Sequence, residues 1–65
     1  MNKMDGMGIT SYYDGLPFGE KDGFVRDVAE AIGQSTSNVR LKMKNGRWSK
    51  TELPIVNQVI EERRH

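Results

Sequence analysis

The chain has 65 residues, a formal net charge of +1 and no cysteine, and a chain of this length folds as one small domain with a limited core. Without cysteine it has no disulfide and no thiolate metal site, and its single histidine, His65, supplies fewer ligands than tetrahedral zinc requires. No apolar run approaches the ~20 residues that span a bilayer, so we expect a cytoplasmic protein that uses no metal and no cofactor.

A flexible leader and a short helix are the first predicted elements. Residues 1–8 contain two glycines and no apolar periodicity, which predicts a flexible N-terminal leader. Thr10 or Ser11 offers an N-cap for a short helix, and Gly15 and Pro17 end that helix. The aromatic residues of this region are expected to cover the open end of a helical bundle rather than to stack on RNA bases; they are Tyr12, Tyr13 and Phe18.

The strongest helical pattern covers residues 20–32. Its apolar residues recur at the spacing of one helical face; they are Phe24, Val25, Val28, Ala29 and Ile32. Gly33 then ends the helix, because glycine enters the left-handed C-cap conformation without steric cost.

Another helix follows at once, over about residues 35–44. One of the three hydroxyl residues at 35–37 can cap it, and Gly46 follows its end. Only Val39 and Met43 form an apolar stripe, so most of the surface of this helix is free. Two helices separated by a Gly-Gln-Ser-Thr turn make a helix-turn-helix pattern.

The positive charge of the chain is concentrated in this same region. Residues 34–50 carry five positive charges and no acid, whereas residues 1–33 have a net charge of −3 and residues 51–65 a net charge of −1. The five basic residues are Arg40, Lys42, Lys44, Arg47 and Lys50. A compact basic patch attracts phosphate, so the asymmetry indicates a nucleic-acid-binding surface; a merely solvated face is the alternative.

With Val39 and Met43 turned inward, the outer face of this helix presents hydroxyl, amide, guanidinium, ammonium and aliphatic groups and no carboxylate. Side chains of these types read base edges in the major groove. The candidate base-reading residues are Ser37, Asn38, Arg40, Leu41 and Lys44. The candidate phosphate-binding residues are Gln34, Ser35, Thr36, Lys42, Asn45, Arg47 and Lys50. Leu41 could equally fill a packing seam or a dimer contact.

The C-terminal part of the chain predicts a turn and a last helix. Ser49 and Glu52 have the spacing of a capping box, and Pro54 is acceptable only in the first turn of a helix. We therefore expect a turn near 49–53 and a helix over about 54–62. Trp48 is expected to be a core lid over the preceding helix rather than a stacking platform.

The apolar stripe of the last helix is two residues wide, so half of it is expected to pack internally. The other half is a candidate dimer surface, made of Ile55, Val59 and Ile60. Residues 63–65 are expected to form a tail, which leaves residues 9–62 as the folded domain. No alternating strand pattern occurs, so the predicted fold is all-α, a small four- to five-helix bundle with a helix-turn-helix.

Three stretches of the chain match a known pattern, namely residues 28–33, 35–46 and 48–60. Their sequences are VAEAIG, STSNVRLKMKNG and WSKTELPIVNQVI. On these residues the chain resembles the Cro and phage-repressor (lambda-repressor-like) helix-turn-helix DNA-binding domains. Gln34 departs from that family, which usually has an aliphatic residue there, and the region before Val25 is richer in glycine than the family's long first helix.

The resemblance implies that residues 35–45 form the recognition helix of a nucleoid-associated, Cro-like transcriptional repressor. It also implies binding to double-stranded operator DNA as a homodimer. The alternative is a small helical protein-interaction module, such as a phage-encoded adaptor or inhibitor, that keeps the helix-turn-helix shape without binding DNA. An enzyme acting on a small-molecule substrate is not expected, because the chain has no internal histidine, no cysteine and no Gly-rich phosphate loop.

Overall fold

Four α-helices make up the protein in the computed structural model, which describes residues 4–64. They are α1 (Gly6–Asp14), α2 (Phe18–Ile32), α3 (Thr36–Asn45) and α4 (Glu52–Arg63). Helix α2 packs against both α3 and α4, and α1 packs mainly against α3. The predicted all-α class is confirmed. None of the described helices is long and apolar enough to cross a membrane.

Every helix contributes to one hydrophobic core. Its largest fully buried side chains are Phe24, Ile9, Met43, Val25, Val28, Val39 and Val56. Val39 and Met43 face inward as predicted, which turns the other side of α3 outward. Trp48 joins this core as the predicted lid.

The tyrosines of α1 cover the bundle as expected, but Phe18 does not. Tyr12 packs edge-on against Phe24 with ring centroids 5.2 Å apart, and Tyr13 lies 6.5 Å from the same ring. Phe18 is 88% exposed. The prediction for this residue is wrong because it lies six residues before Phe24, on a different side of α2.

Helix α1 begins earlier than predicted. The carboxylate of Asp5 caps it by accepting a hydrogen bond from the Gly8 amide at 2.8 Å, so Thr10 lies inside the helix instead of capping it. The backbone of Met4 exchanges hydrogen bonds of 2.7 and 2.9 Å with the side-chain amide of Asn57. Residues 4–8 therefore belong to the fold and not to a leader, while residues 1–3 of the predicted leader lie outside the described residues.

The turns on either side of α3 are as predicted. Gly33 and Gly46 adopt left-handed φ values of 70° and 68°, and they end α2 and α3. The hydroxyl oxygen of Ser35 caps α3 by accepting a hydrogen bond from the Asn38 amide at 3.2 Å. Only residues 33–35 separate α2 from α3, so the helix-turn-helix connection is tight.

The predicted capping box precedes α4. The Ser49 amide donates to Oε1 of Glu52 at 3.0 Å, and the Glu52 amide donates to the Ser49 hydroxyl at 3.2 Å. These bonds start the helix at Glu52, two residues earlier than expected, and Pro54 falls in its first turn. Arg63 belongs to α4 and donates to Asp27 at 2.7 Å, so the tail predicted at residue 63 starts too early; His65 lies outside the described residues.

The candidate dimer surface on α4 is mostly inside the core. Val59 and Ile60 are only 8% and 2% exposed, whereas Ile55 is 37% exposed. The prediction is wrong for Val59 and Ile60 because this side of α4 packs against α2. Ile55 alone of the three remains accessible to a partner.

Candidate nucleic-acid interface

One side of α3 is open along its whole length. Ser37, Arg40, Leu41 and Lys44 are all exposed, and their spacing of three, one and three residues places them in one stripe of a helix. Leu41 is 61% exposed although it is a large apolar residue. Asn38 is also exposed, at the edge of the stripe. The structure therefore brings the five predicted base-reading residues together on one accessible surface.

Arg40 is held from α2. Its Nη2 donates a hydrogen bond of 2.9 Å to Oδ1 of Asp22, and the two side chains are 52% and 66% exposed. An exposed pair of this kind contributes about 0–1 kcal/mol to stability. Its main effect is to set the direction of a long side chain within the α3 stripe.

Lys42 points away from this stripe and toward the start of α4. Its Nζ donates to both carboxylate oxygens of Glu52, at 2.6 and 2.7 Å. The ammonium group also lies 5.7 Å from the centre of the Trp48 ring. Only 24% of the Lys42 side chain is exposed. Among the described residues, Arg40 and Lys42 are thus the two of the five basic residues that pair with an acid, and the predicted phosphate contact of Lys42 would require it to leave Glu52.

Glu52 joins three parts of the molecule. Besides Lys42 of α3 and the Ser49 amide, it accepts a hydrogen bond of 2.5 Å from Nε2 of Gln34 in the turn before α3. The Lys42 hydrogen bonds, followed by the Ser49 amide, lower the pKa of Glu52 from its usual 4.5 to about 2. The carboxylate thus stays charged near neutral pH, where it fixes the turn, α3 and the start of α4 to one another.

Two further members of the predicted phosphate-binding set have local structural roles. The Ser35 hydroxyl oxygen caps α3, and Oδ1 of Asn45 accepts a hydrogen bond of 3.0 Å from the Arg47 amide, which shapes the exit from the helix. The exposed members of the set are Ser35, Thr36, Asn45, Arg47 and Lys50. Thr36 at the start of α3 and Lys44 and Arg47 at its end place open polar and basic groups at both ends of the helix, whereas Lys50 lies beside Asp5 and Leu53.

The C-terminal end of α3 is fixed by α1. The Thr10 hydroxyl donates to the Met43 carbonyl at 2.8 Å. A Cβ added to Gly6 would overlap the Gly46 carbonyl oxygen, so the two backbones meet where only glycine fits. With the Glu52 contacts on its inner side, α3 is held firmly while its outer side stays free, which favours precise recognition.

Acidic side chains collect on a different side of α2. A groove of about 550 Å³ between α2 and α4 is lined by Asp27, Glu30 and Glu62, with Arg63 among them. Asp22 and Asp27 are five residues apart, about 140° around the helix axis, so one faces α3 and the other faces α4. The outer side of α3 therefore keeps its positive charge, and Asp22 is the acid that pairs with it, through Arg40.

Asp22 and Glu52 are the two residues of this interface whose contacts sequence reasoning missed. Glu52 was expected only to cap α4, although it is the one acid between Glu30 and Glu61. Gln34 carries a related signal, because it places a polar side chain in the tight turn just before α3. An isolated acid and an unexpected amide near the same helix would have suggested a buried polar contact. No comparable signal distinguishes Asp22 from the other acids of α2.

Comparisons with protein-family models, with curated proteins and with solved structures found no match for this chain.

Proposed function

We propose that the protein is a sequence-specific DNA-binding transcriptional regulator, a Cro-like repressor that reads the major groove with α3. The observation that carries this proposal is the open stripe of Ser37, Arg40, Leu41 and Lys44 on a helix that has no acidic residue. Arginine bonds bidentately to guanine, asparagine to adenine, and an apolar side chain can contact a thymine methyl group. The stripe and its neighbour Asn38 supply all three kinds of contact.

The dimensions of α3 fit this role. A helix with its side chains is about 10–12 Å across, and the major groove of B-form DNA is about 12 Å wide. With ten residues, α3 is about 15 Å long. The anchoring of its inner side by Glu52 and Thr10 lets the helix enter a groove without being reshaped.

Phosphate contacts are assigned to the basic groups that the fold leaves exposed. Lys50 lies farther along the chain, beside the start of α4. Lys44 and Arg47 lie at the C-terminal end of α3, and Thr36 lies at its N-terminal end. These positions flank the base-reading stripe, where backbone contacts would fix the register of the helix. Lys42 is left out of the proposed phosphate contacts because its ammonium group is hydrogen-bonded to Glu52.

We further propose that the protein binds a pseudo-palindromic operator as a homodimer, with half-sites about one helical turn apart. The contact between the two copies would lie outside Val59 and Ile60, which are buried. Sedimentation with and without DNA measures this state directly. A single copy bound to a single half-site would contradict the dimer while leaving the role of α3 intact.

The test compares two single variants on a specific and a random duplex. Specific duplex is obtained by selection from a random pool or from the region upstream of the gene. Arg40→Ala should weaken specific binding by roughly 1–3 kcal/mol and relax the base preference at one position. Lys50→Ala should weaken both duplexes alike and flatten the salt dependence by about one unit.

Two results would contradict the proposal. If the wild-type protein binds no duplex at low salt, the proposal of DNA binding is refuted. If Arg40→Ala weakens the affinity for both duplexes equally, Arg40 does not read a base, since a base contact is lost only where the matching base is present.

One observation favours the protein-interaction module as a second candidate. Phe18 and Met7 are 88% and 78% exposed, and an exposed aromatic residue is a common anchor in protein interfaces. Phe18→Ala should leave DNA binding unchanged if the regulator proposal is right. Loss of biological activity in Phe18→Ala but not in Arg40→Ala would favour the interaction module.

A further inference from the structure

We propose that Asp22 is a specificity-determining residue, which positions Arg40 for base reading and penalises contact with phosphate. This inference rests on the proposed DNA binding by α3. Asp22 belongs to α2, outside the recognition helix, and its Oδ1 accepts the 2.9 Å hydrogen bond from Nη2 of Arg40.

The geometry of the pair leaves Arg40 able to bind a base. A guanidinium group has five N–H donors in a rigid fork, and the bond to Asp22 uses one of its nitrogens. The other donors are available to a guanine edge, and 52% of the Arg40 side chain is exposed. An arginine held on one side by a carboxylate loses less rotamer freedom on binding than one that is free in solvent.

The charge of Asp22 adds discrimination against non-specific contact. A free arginine beside a duplex is attracted to the nearest phosphate on any sequence. Asp22 is 66% exposed beside the base-reading stripe, so it repels phosphate and offers Arg40 an alternative partner. Asp22 therefore weakens binding to a random duplex. In the specific complex, the bond between Arg40 and the matching base compensates for the repulsion between Asp22 and phosphate. Specificity of this kind comes from a repulsive element as well as an attractive one.

Helix α2 supplies a matched control in Asp27. This residue is also exposed and also pairs with an arginine, since Oδ2 accepts a 2.7 Å hydrogen bond from Arg63. It faces α4 and the acidic groove instead of α3. Removing either acid raises the net charge by one. A difference in DNA affinity between the two variants therefore reflects where the acid lies and not the total charge.

The experiment measures binding of wild type, Asp22→Ala and Asp27→Ala to a selected and a random duplex at two salt concentrations. Asp22→Ala should bind random duplex about threefold to tenfold more tightly and should lower the ratio of specific to random affinity by about fivefold or more. Asp27→Ala should change both affinities by the same small factor. Asp22→Asn separates the positioning of Arg40 from the repulsion of phosphate, since asparagine keeps a hydrogen-bond acceptor for Arg40 but has no negative charge.

A double-mutant cycle links the effect to Arg40. In an Arg40→Ala background, Asp22→Ala should leave the specificity ratio unchanged, because the positioned group is already gone. Equal ratios for Asp22→Ala and Asp27→Ala in the wild-type background would overturn the role of Asp22, and so would a cycle without coupling. If the wild type itself binds no duplex, both this inference and the proposed function fail, whereas a discriminating wild type with an inert Asp22 refutes the inference alone.

Discussion

Replacing the buried Glu52 by Gln should destabilise the fold more than removing the charge of an exposed acid of the same helix does. Glu52 is 8% exposed and accepts hydrogen bonds from Lys42, Gln34 and Ser49. The lowering of its pKa from 4.5 to about 2 corresponds to at most about 3–4 kcal/mol, and solvent screening in so small a protein reduces that to roughly 1–2 kcal/mol. The variant also leaves the ammonium of Lys42, only 24% exposed, without its counter-charge, which brings the expected loss to about 2–3 kcal/mol.

A loss of that size is large for this chain. Domains have about 0.05–0.15 kcal/mol of stability per residue, or roughly 3–10 kcal/mol for this length. An unfolding entropy of about 2.1 cal/mol/K per residue converts 2–3 kcal/mol into a fall in Tm of about 15–20 °C. Thermal and urea unfolding followed by circular dichroism at pH 7 measure both quantities.

The same contact predicts a pH dependence. Because the pKa of Glu52 is lower in the folded state, its contribution is fully present above about pH 5 and is lost as the pH falls toward 2. The stability difference between wild type and Glu52→Gln should therefore shrink between pH 5 and pH 2. Glu61→Gln is the matched control, since it removes one charge from an exposed position of the same helix. If the two variants unfold at the same temperature at pH 7, the argument for Glu52 as the junction of three elements is refuted.

Two further substitutions test the packing of α3 and its open face. Gly6→Ala should lower the free energy of unfolding by about 1–3 kcal/mol, because its Cβ would collide with the Gly46 carbonyl oxygen. The control is Gly19→Ala, which has open space around it and should be neutral or stabilising by up to about 1 kcal/mol. Equal unfolding curves for the two variants would contradict the close contact of α1 with α3. Leu41→Ala should change stability by less than about 0.5 kcal/mol yet weaken specific DNA binding in a titration, and a large loss of stability would show instead that Leu41 packs within the fold.

The parts of the fold that the sequence predicts are those set by local chemistry. Gly33 and Gly46 end helices because only glycine enters the left-handed conformation freely. Ser49 and Glu52 begin one because their groups satisfy each other's amides. The outward stripe of α3 follows from the inward placement of Val39 and Met43, which are four residues apart. Each of these features depends on neighbours within one or two helical turns.

The errors arise where the outcome depends on residues far apart in the chain. The start of α1 at Gly6 is fixed partly by Asn57, which bonds the Met4 backbone across 53 positions of sequence. The sequence predicts a dimer contact at Val59 and Ile60 because an apolar stripe does not reveal which of its halves meets α2. The sequence predicts a phosphate contact for Lys42 because it contains the charge of this residue but not its distance from Glu52. Long-range packing decides all of these, and a local pattern contains no information about it.

The inward position of Lys42 strengthens the case for a recognition surface on α3 instead of weakening it. Arg40, Lys42 and Lys44 belong to α3, so with Lys42 exposed their mutual repulsion would act on one short helix, and the polar contact that ties its inner side to Glu52 would be lost. The Lys42–Glu52 pair assigns one charge to holding the helix, and the mostly buried position of the carboxylate keeps its negative charge away from the outer face. Asp22 acts on the outer side, where it directs Arg40 without closing the surface. One acid therefore orients the helix and the other orients a side chain on it, which is the arrangement expected when specificity depends on precise placement more than on total charge.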